Sequence, residues 1–355
     1  MDIIAHRLYN QQLVTPQFRT PAEVVAWFGA VQAQDYPGGK WAVGLRLPSA
    51  TDADVETAIA DRSIIRTWPM RGTLHFVAAD DIRWMLEALT PRVVAGAASR
   101  HRQLELDAET FARSRDVLAA ALQGGQRLSR PAMYATLEAA GISTAGQRGF
   151  HILGRLAQEG LLCFGPHEGR QPAFVLLDEW APHAKRLARD VALVELARRY
   201  FTSHGPATLH DFVWWSGLTM ADARAGVEGA RTSLLEERVN GGSYWLPPGL
   251  PSVHVQPPLV HLLPAYDEYM VAYRDRSAAL AAVAPAYPTL PGMVALGPTI
   301  NVDGQFAGAW RRTVRKDVVR IATQPFIPLS EAARDALAAA ASRYGAFVGL
   351  RPHLA

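Results

Sequence analysis

The chain has 355 residues, 49% apolar and 19% charged, with a net charge of +3. Such a length suits two to four domains, and the composition excludes a disordered or low-complexity chain. A single cysteine, Cys163, excludes a disulfide framework and any multi-cysteine metal site, and no apolar run is long enough to span a bilayer.

AHRLYNQQLV reads as a helix. TPAEVVAWFGAVQ reads as a second, with Val24, Val25, Phe28 and Val31 on one apolar stripe. In VQAQDYPGGKW, Pro37 disfavours helical geometry at Tyr36, and Gly38-Gly39 is expected to stop a helix from restarting. Thr51, followed by acidic residues, starts a helix at TDADVETAIADRS. IIRTWPMRGTLHFVA then reads as a hairpin broken around Pro69 to Gly72. Helices followed by a hairpin have the order of a winged helix.

That order recurs twice. TFARSRDVLAAAL, SRPAMYATLEAAG and QRGFHILGRLAQEG lead into the two strands of LLCFGPHEGRQPAFVLL. VALVELARRYFTSHG, TLHDFVWWSG and TMADARAGVEGA lead into LLEERVNGGSYWLP, where Asn240-Gly241 is a strong hairpin turn. The rest differs: TINVDGQFAGAWRRTVRKDVVRIAT alternates like strands around an Asp303-Gly304 turn, and SEAARDALAAAASRYG closes as a helix. The expected fold is α+β. Winged-helix modules occupy 1–107, 108–186 and 187–250, and a β-rich unit occupies 251–355.

The chain has no Gly-rich phosphate loop, HExxH, nucleophile elbow or metal-ligand cluster, so neither a metal nor a cofactor is expected. Asp267 and Glu268 are adjacent, would face opposite ways in a strand, and are expected to be structural. Arg311, Arg312, Arg315, Lys316 and Arg320 stand against one acid, Asp317, and form either a solvated face or a polyanion contact. Arg148 and Arg155, on the third helix of the second module, and Arg170 at its wing tip fall where winged helices meet phosphates. Of the 36 basic residues only Lys40, Lys185 and Lys316 are lysines, a bias that a GC-rich genome would also produce.

Gln32 and Gln34 are the least expected pair, since neither can titrate. In a helix they would point about 200° apart. If the helix ends near Val31 the period becomes two, and both amides share a face while Asp35 turns away. The alternative is a polar helix terminus.

The stretches QAQDYPGGKWAVGLR, RTWPMRGTLHFV, LLPAYDEYMVAYRDR and VDGQFAGAWRRT, in this order, resemble the AlkZ-like (YcaQ-type) winged-helix DNA glycosylases over nearly the whole chain. The resemblance implies three winged helices around a DNA-binding channel. It also implies a Gln-aliphatic-Gln catalytic motif at Gln32-Ala33-Gln34, and excision of alkylated bases, including bulky N7-guanine adducts and, in some members, interstrand crosslinks. Members of this branch often serve as self-resistance proteins in producers of DNA-alkylating antibiotics. Gln34 is then expected to position a water and Gln32 to support the water and the sugar cation. Arg71 and His75, on the first hairpin, are candidates for the lesion-facing channel, with a packed strand histidine as the alternative at His75; Lys40, on a Gly-Gly-Lys loop that reads as solvent-exposed, is a candidate for a DNA contact or, less simply, a lyase nucleophile. The implied partner is double-stranded DNA with alkylated bases, bound by a cytoplasmic, nucleoid-associated monomer. The competing class is a non-catalytic winged-helix DNA-binding protein or regulator, although no coiled-coil heptads for a dimer are present.

Overall fold

The computed structural model describes residues 1–169, 171–251, 257–285 and 295–355. Arg170, expected at a wing tip, lies outside them. No helix among the described residues is long and apolar enough to cross a membrane.

Helix α1 (Ile3–Asn10) starts at Asp2, whose side chain accepts from the Ala5 N–H. Helix α2 (Pro21–Phe28) is entered through a capping box. The Thr20 hydroxyl accepts from the Glu23 N–H, and the Glu23 carboxylate accepts from the Thr20 N–H. It ends before Val31 because Gly29 adopts φ 77°, which costs glycine little. Strand β1 (Val31–Gln32), α3 (Tyr36–Gly44), α4 (Asp52–Ala60), β2 (Ile64–Met70) and β3 (Thr73–Ala78) complete the first winged-helix order. The β2–β3 turn is Arg71-Gly72, with φ 53° and 72°. Pro69 sits within the register shift between Thr67 and Met70, where a strand can tolerate it.

Helices α5 (Ile82–Gly96) and α6 (Ala98–Gln103) follow. The second module comprises α7 (Ala108–Leu122), β4 (Leu128–Ser129), α8 (Arg130–Ala139), α9 (Arg148–Gln158), β5 (Leu162–Glu168) and β6 (Gln171–Leu176). β6 pairs antiparallel with both β4 and β5, the three-stranded wing of a winged helix. After α10 (Leu177–Trp180), the third module runs α11 (Arg189–His204), α12 (Leu209–Ser216), α13 (Met220–Gly229), β7 (Leu235–Val239) and β8 (Gly242–Leu246). Asn240-Gly241 forms the expected turn, with φ 50° and 80°, and Ala207 bridges Trp245 in place of the short first strand.

The chain ends in β9 (Val260–Leu263), α14 (Glu268–Val271), α15 (Ser277–Leu280), β10 (Thr299–Val302), β11 (Gln305–Arg315), β12 (Val318–Pro325), a long helix Glu331–Val348 and β13 (Arg351–Leu354). These strands form one sheet in the order β13-β12-β11-β10-β9, with only the β12–β13 pair parallel.

Two compact units result, one of Met1–Val55 and Leu193–Ala355, the other of Glu56–Ala192. In the second, the strands run β3-β2-β5-β6-β4, and Arg66 opposite Phe164 joins the first hairpin to the second. Its core gathers Trp68, Leu118, Leu156, Phe164 and Phe174. In the first unit, the Trp41 ring of α3 lies 5.1 Å from Tyr344 and 5.0 Å from Phe347 on the closing helix. The Trp41 Nε1–H donates to the Leu262 carbonyl at 2.7 Å. The C-terminal sheet and helix therefore hold α3, which directly follows the glutamine pair.

Candidate active site

The expected helix stop at Gly38-Gly39 is not there: α3 runs through both glycines. Pro37 sits in its first turn, where a missing N–H costs nothing. The glycines serve close approach instead. A Cβ on Gly39 would lie 3.0 Å from Ala33 Cα and 3.0 Å from the Gln32 carbonyl, so their absence lets α3 lie directly against the motif. Gly44 does the same at the far end, where a Cβ would meet the Phe347 ring at 2.2 Å. Gly44→Ala is expected to lower folding stability by about 1–3 kcal/mol through overpacking, although alanine is the better helix former. Chemical denaturation would read this as a lower midpoint at unchanged slope.

Gln32 ends β1 and is buried, whereas Gln34 is exposed in the bend that leads into α3. The extended run thus covers Val31–Gln32 only. The Gln32 Oε1 is buried and has no hydrogen-bond partner among the described residues.

Charged groups beside the pair are each engaged. Asp35 accepts from Arg312 Nη2 at 3.0 and 3.2 Å. Lys40, expected on an exposed loop, is buried in α3, because the helix that carries it packs inward. Its ammonium donates to Asp52 Oδ2 at 2.7 Å and lies 4.8 Å from the centre of the Tyr36 ring. A lysine so engaged would have to give up its ion pair with Asp52 to attack a sugar carbon.

Asp267 and Glu268 are not in a strand. Asp267 caps α14, accepting from the Tyr269 N–H, and also receives Arg46 in a two-pronged buried ion pair at 2.8 and 2.9 Å. Glu268 Oε1 accepts from the Gln32 N–H at 2.9 Å, and its Oε2 accepts from Trp215 Nε1–H at 3.0 Å. His204 Nε2 lies 3.3 Å from the same Oε2. Burial lowers the His204 pKa, outweighing the Glu268 carboxylate that pulls it up. Both acids are bonded within the protein, and the adjacency of the pair gives no hint of the contact between Glu268 and the motif. The LLPAYDEYMVAYRDR stretch was the available signal.

The remaining candidates fall into two sets. With the glutamines in the first unit lie Lys40, Arg311 and Arg312. Arg311 and Arg312 are neighbours on β11 and so face opposite ways. Arg312 turns to Asp35. Arg311 is exposed and, with Arg315, Arg320 and His353, lines a groove of about 670 Å³. In the second unit, His75 is fully buried, its Nδ1 3.0 Å from the Thr73 carbonyl and its Nε2 3.4 Å from Arg71. Arg148 caps the carbonyls of Leu104, Glu105 and Ser143, and Arg155 pairs with Glu159.

Repeated winged helices with a C-terminal sheet, bearing exposed arginines, define a nucleic-acid-binding class of fold. The family model of DNA glycosylase AlkZ-like proteins matches residues 25–347, and the chain belongs to that family of DNA glycosylases. It is 25% identical over 342 residues to the interstrand DNA cross-link repair glycosylase of Streptomyces sahachiroi, covering 87% of this chain and 86% of that protein. The solved structure of the Streptomyces sahachiroi DNA glycosylase AlkZ superposes with a TM-score of 0.79 at 20% identity, over 100% of this chain and 98% of that one. The fold is thus the α+β winged-helix fold with a C-terminal sheet, and the non-catalytic regulator is set aside.

Proposed function

We propose that the protein hydrolyses the N-glycosidic bond of cationic alkylated purines in double-stranded DNA, N7-alkylguanine above all, with Gln32 and Gln34 as its catalytic pair. The observation that carries this reading is the buried Gln32 Oε1, which has no hydrogen-bond partner among the described residues, two positions from the exposed Gln34. Asp35 and Lys40, the charged groups closest in sequence, and Glu268, which meets the Gln32 backbone, are each bonded within the protein.

Two amides suffice when the leaving base already carries a positive charge. Water attacks C1′ and the C1′–N9 bond breaks. Its electron pair neutralises the base, which departs as free alkylguanine, and the water's proton passes to solvent. The sugar becomes cation-like along the way. Gln34 orients the water, and Gln32 turns the negative end of its amide dipole toward the water and the sugar. Neither changes protonation state, so a neutral base that needs a proton to leave gets no help. Full extrusion of the base into a tight pocket is not required either, which suits bulky adducts and crosslinks.

The DNA contacts belong to this reading. Arg311 and its exposed basic neighbours meet phosphates, as do Arg148, Arg155 and Arg170 of the second module. In the first unit Lys40 and Arg312 are further DNA contacts; in the second, Arg71 and His75 face the lesion. The three modules at 1–107, 108–186 and 187–250 serve as the DNA-binding frame, and one chain acts as a monomer.

The test is release of free base from duplexes carrying a single N7-methylguanine, a bulky N7-guanine adduct, uracil or undamaged guanine. Release from the first two alone is the expected result. Efficient release of uracil would defeat the reading, because an amide pair cannot protonate a neutral leaving base.

A further inference from the structure

Glu268 is buried, 236 positions from Gln32 in sequence, and its two oxygens have different partners. Oε2 is held from behind by the Trp215 indole on α12, with His204 of α11 beside it. His204 is fixed in turn: its Nδ1 lies 2.8 Å from Ser203 Oγ, and its ring stacks on Tyr200 at 4.8 Å. Oε1 reaches the other way, to the backbone N–H of Gln32. The third module thus supplies a rigid support that ends on the main chain of the motif.

No hydrogen bond among the described residues reaches the Gln32 Oε1 to aim it. Its direction therefore rests on the packing around the buried side chain and on the backbone from which it projects. We propose that Glu268 is a positioning residue: its carboxylate fixes the main chain of Gln32 and so aims the Gln32 amide at the reacting sugar. This rests on the reading of Gln32 and Gln34 as the catalytic pair. The chemistry explains why an acid stands here. A carboxylate offers an acceptor at each oxygen, so it serves the Gln32 N–H and the Trp215 Nε1–H at once. A glutamine in its place offers one acceptor and turns an N–H against one of those two donors. A misaimed amide lowers the rate of the chemical step without touching phosphate contacts.

The experiment compares the unmodified protein with Glu268→Gln and Glu268→Asp on the N7-methylguanine duplex, below the melting transition of all three. It records the single-turnover rate of base release, the affinity for the duplex and the exchange rate of the Gln32 amide proton. Glu268→Gln is expected to release base at least 10-fold more slowly, with affinity within twofold and Gln32 exchange at least 10-fold faster. Glu268→Asp keeps the charge but shortens the reach, and is expected to lose at least threefold; it covers the case in which Glu268→Gln does not fold. Variants that melt earlier yet release base at the unmodified rate, with Gln32 still protected, would overturn the proposal in favour of a purely structural acid. Failure of the underlying reading looks different: the unmodified protein itself would release no base from either alkylated duplex, and the aiming role would fall with it.

Discussion

Gln34→Ala is expected to reduce base release from an N7-alkylguanine duplex by about 10²–10³-fold, the size of effect seen when one preorganised dipole is taken from a transition state. The same change should be nearly invisible elsewhere. Gln34 is exposed, so shortening it removes no core packing, and stability should stay within about 0.5 kcal/mol. Affinity for the duplex comes chiefly from phosphate contacts and should hold within about twofold. Gln32→Ala should cost a similar factor in rate, with some added instability because Gln32 is buried. The double variant should be scarcely worse than either single one, since two groups holding one water act as a unit. Single-turnover base release alongside fluorescence anisotropy reads both quantities. Undiminished release by Gln34→Ala would remove the pair from the mechanism.

The second large effect lies behind the motif, at Arg46. All five of its guanidinium donors are used: Nε bonds the Gln11 carbonyl at 3.0 Å, Nη1 bonds the Ala42 carbonyl and Asp267, and Nη2 bonds Gln11 Oε1 and Asp267. Arg46 and Asp267 are both 1% exposed, so neither charge has water to turn to. Arg46→Met is expected to destabilise by about 3–5 kcal/mol, because it leaves the Asp267 carboxylate buried and unpaired. Lysine is no rescue: one ammonium cannot cover five acceptor directions, so Arg46→Lys should lose a large share of the same amount. Arg46→Met combined with Asp267→Leu should recover part of the loss, since it removes both charges rather than one. Urea unfolding measures all three, and a loss below about 1 kcal/mol for Arg46→Met would contradict this account.

Local chemistry was legible in the sequence wherever it acts locally. Thr20, Thr51 and Ser330 start helices by accepting from N–H groups three residues ahead, and Asn240-Gly241 and Asp303-Gly304 turn their hairpins with positive φ at both positions. The winged-helix order followed from these. What was misread depends on partners far along the chain. Gly38 and Gly39 look like breakers until the surface they pack against is known, and Lys40 looks exposed for the same reason. Pro91 interrupts the pattern of α5, so nothing local announces a fifteen-residue helix there. β13 pairs in parallel with β12 after an intervening helix, which no hairpin signal announces. At the site, the glutamines stood out because they are an odd choice beside a chain break. Glu268 did not, because its partner is 236 residues away and its adjacency to Asp267 suggested a strand.

The unit that carries the glutamines is assembled from the two ends of the chain, while Glu56–Ala192 is one unbroken stretch. During synthesis the motif emerges early and then waits for Leu262 and Glu268, 221 and 236 residues behind the groups they hold. At ~5–20 residues per second that wait is roughly 10–50 s. The middle stretch can complete its own contacts in that time, and with them an arginine-bearing winged helix. A nascent chain would therefore hold Gln32 and Gln34 on a segment that lacks the support of Leu262 and Glu268 until the sheet and helix that follow have been made.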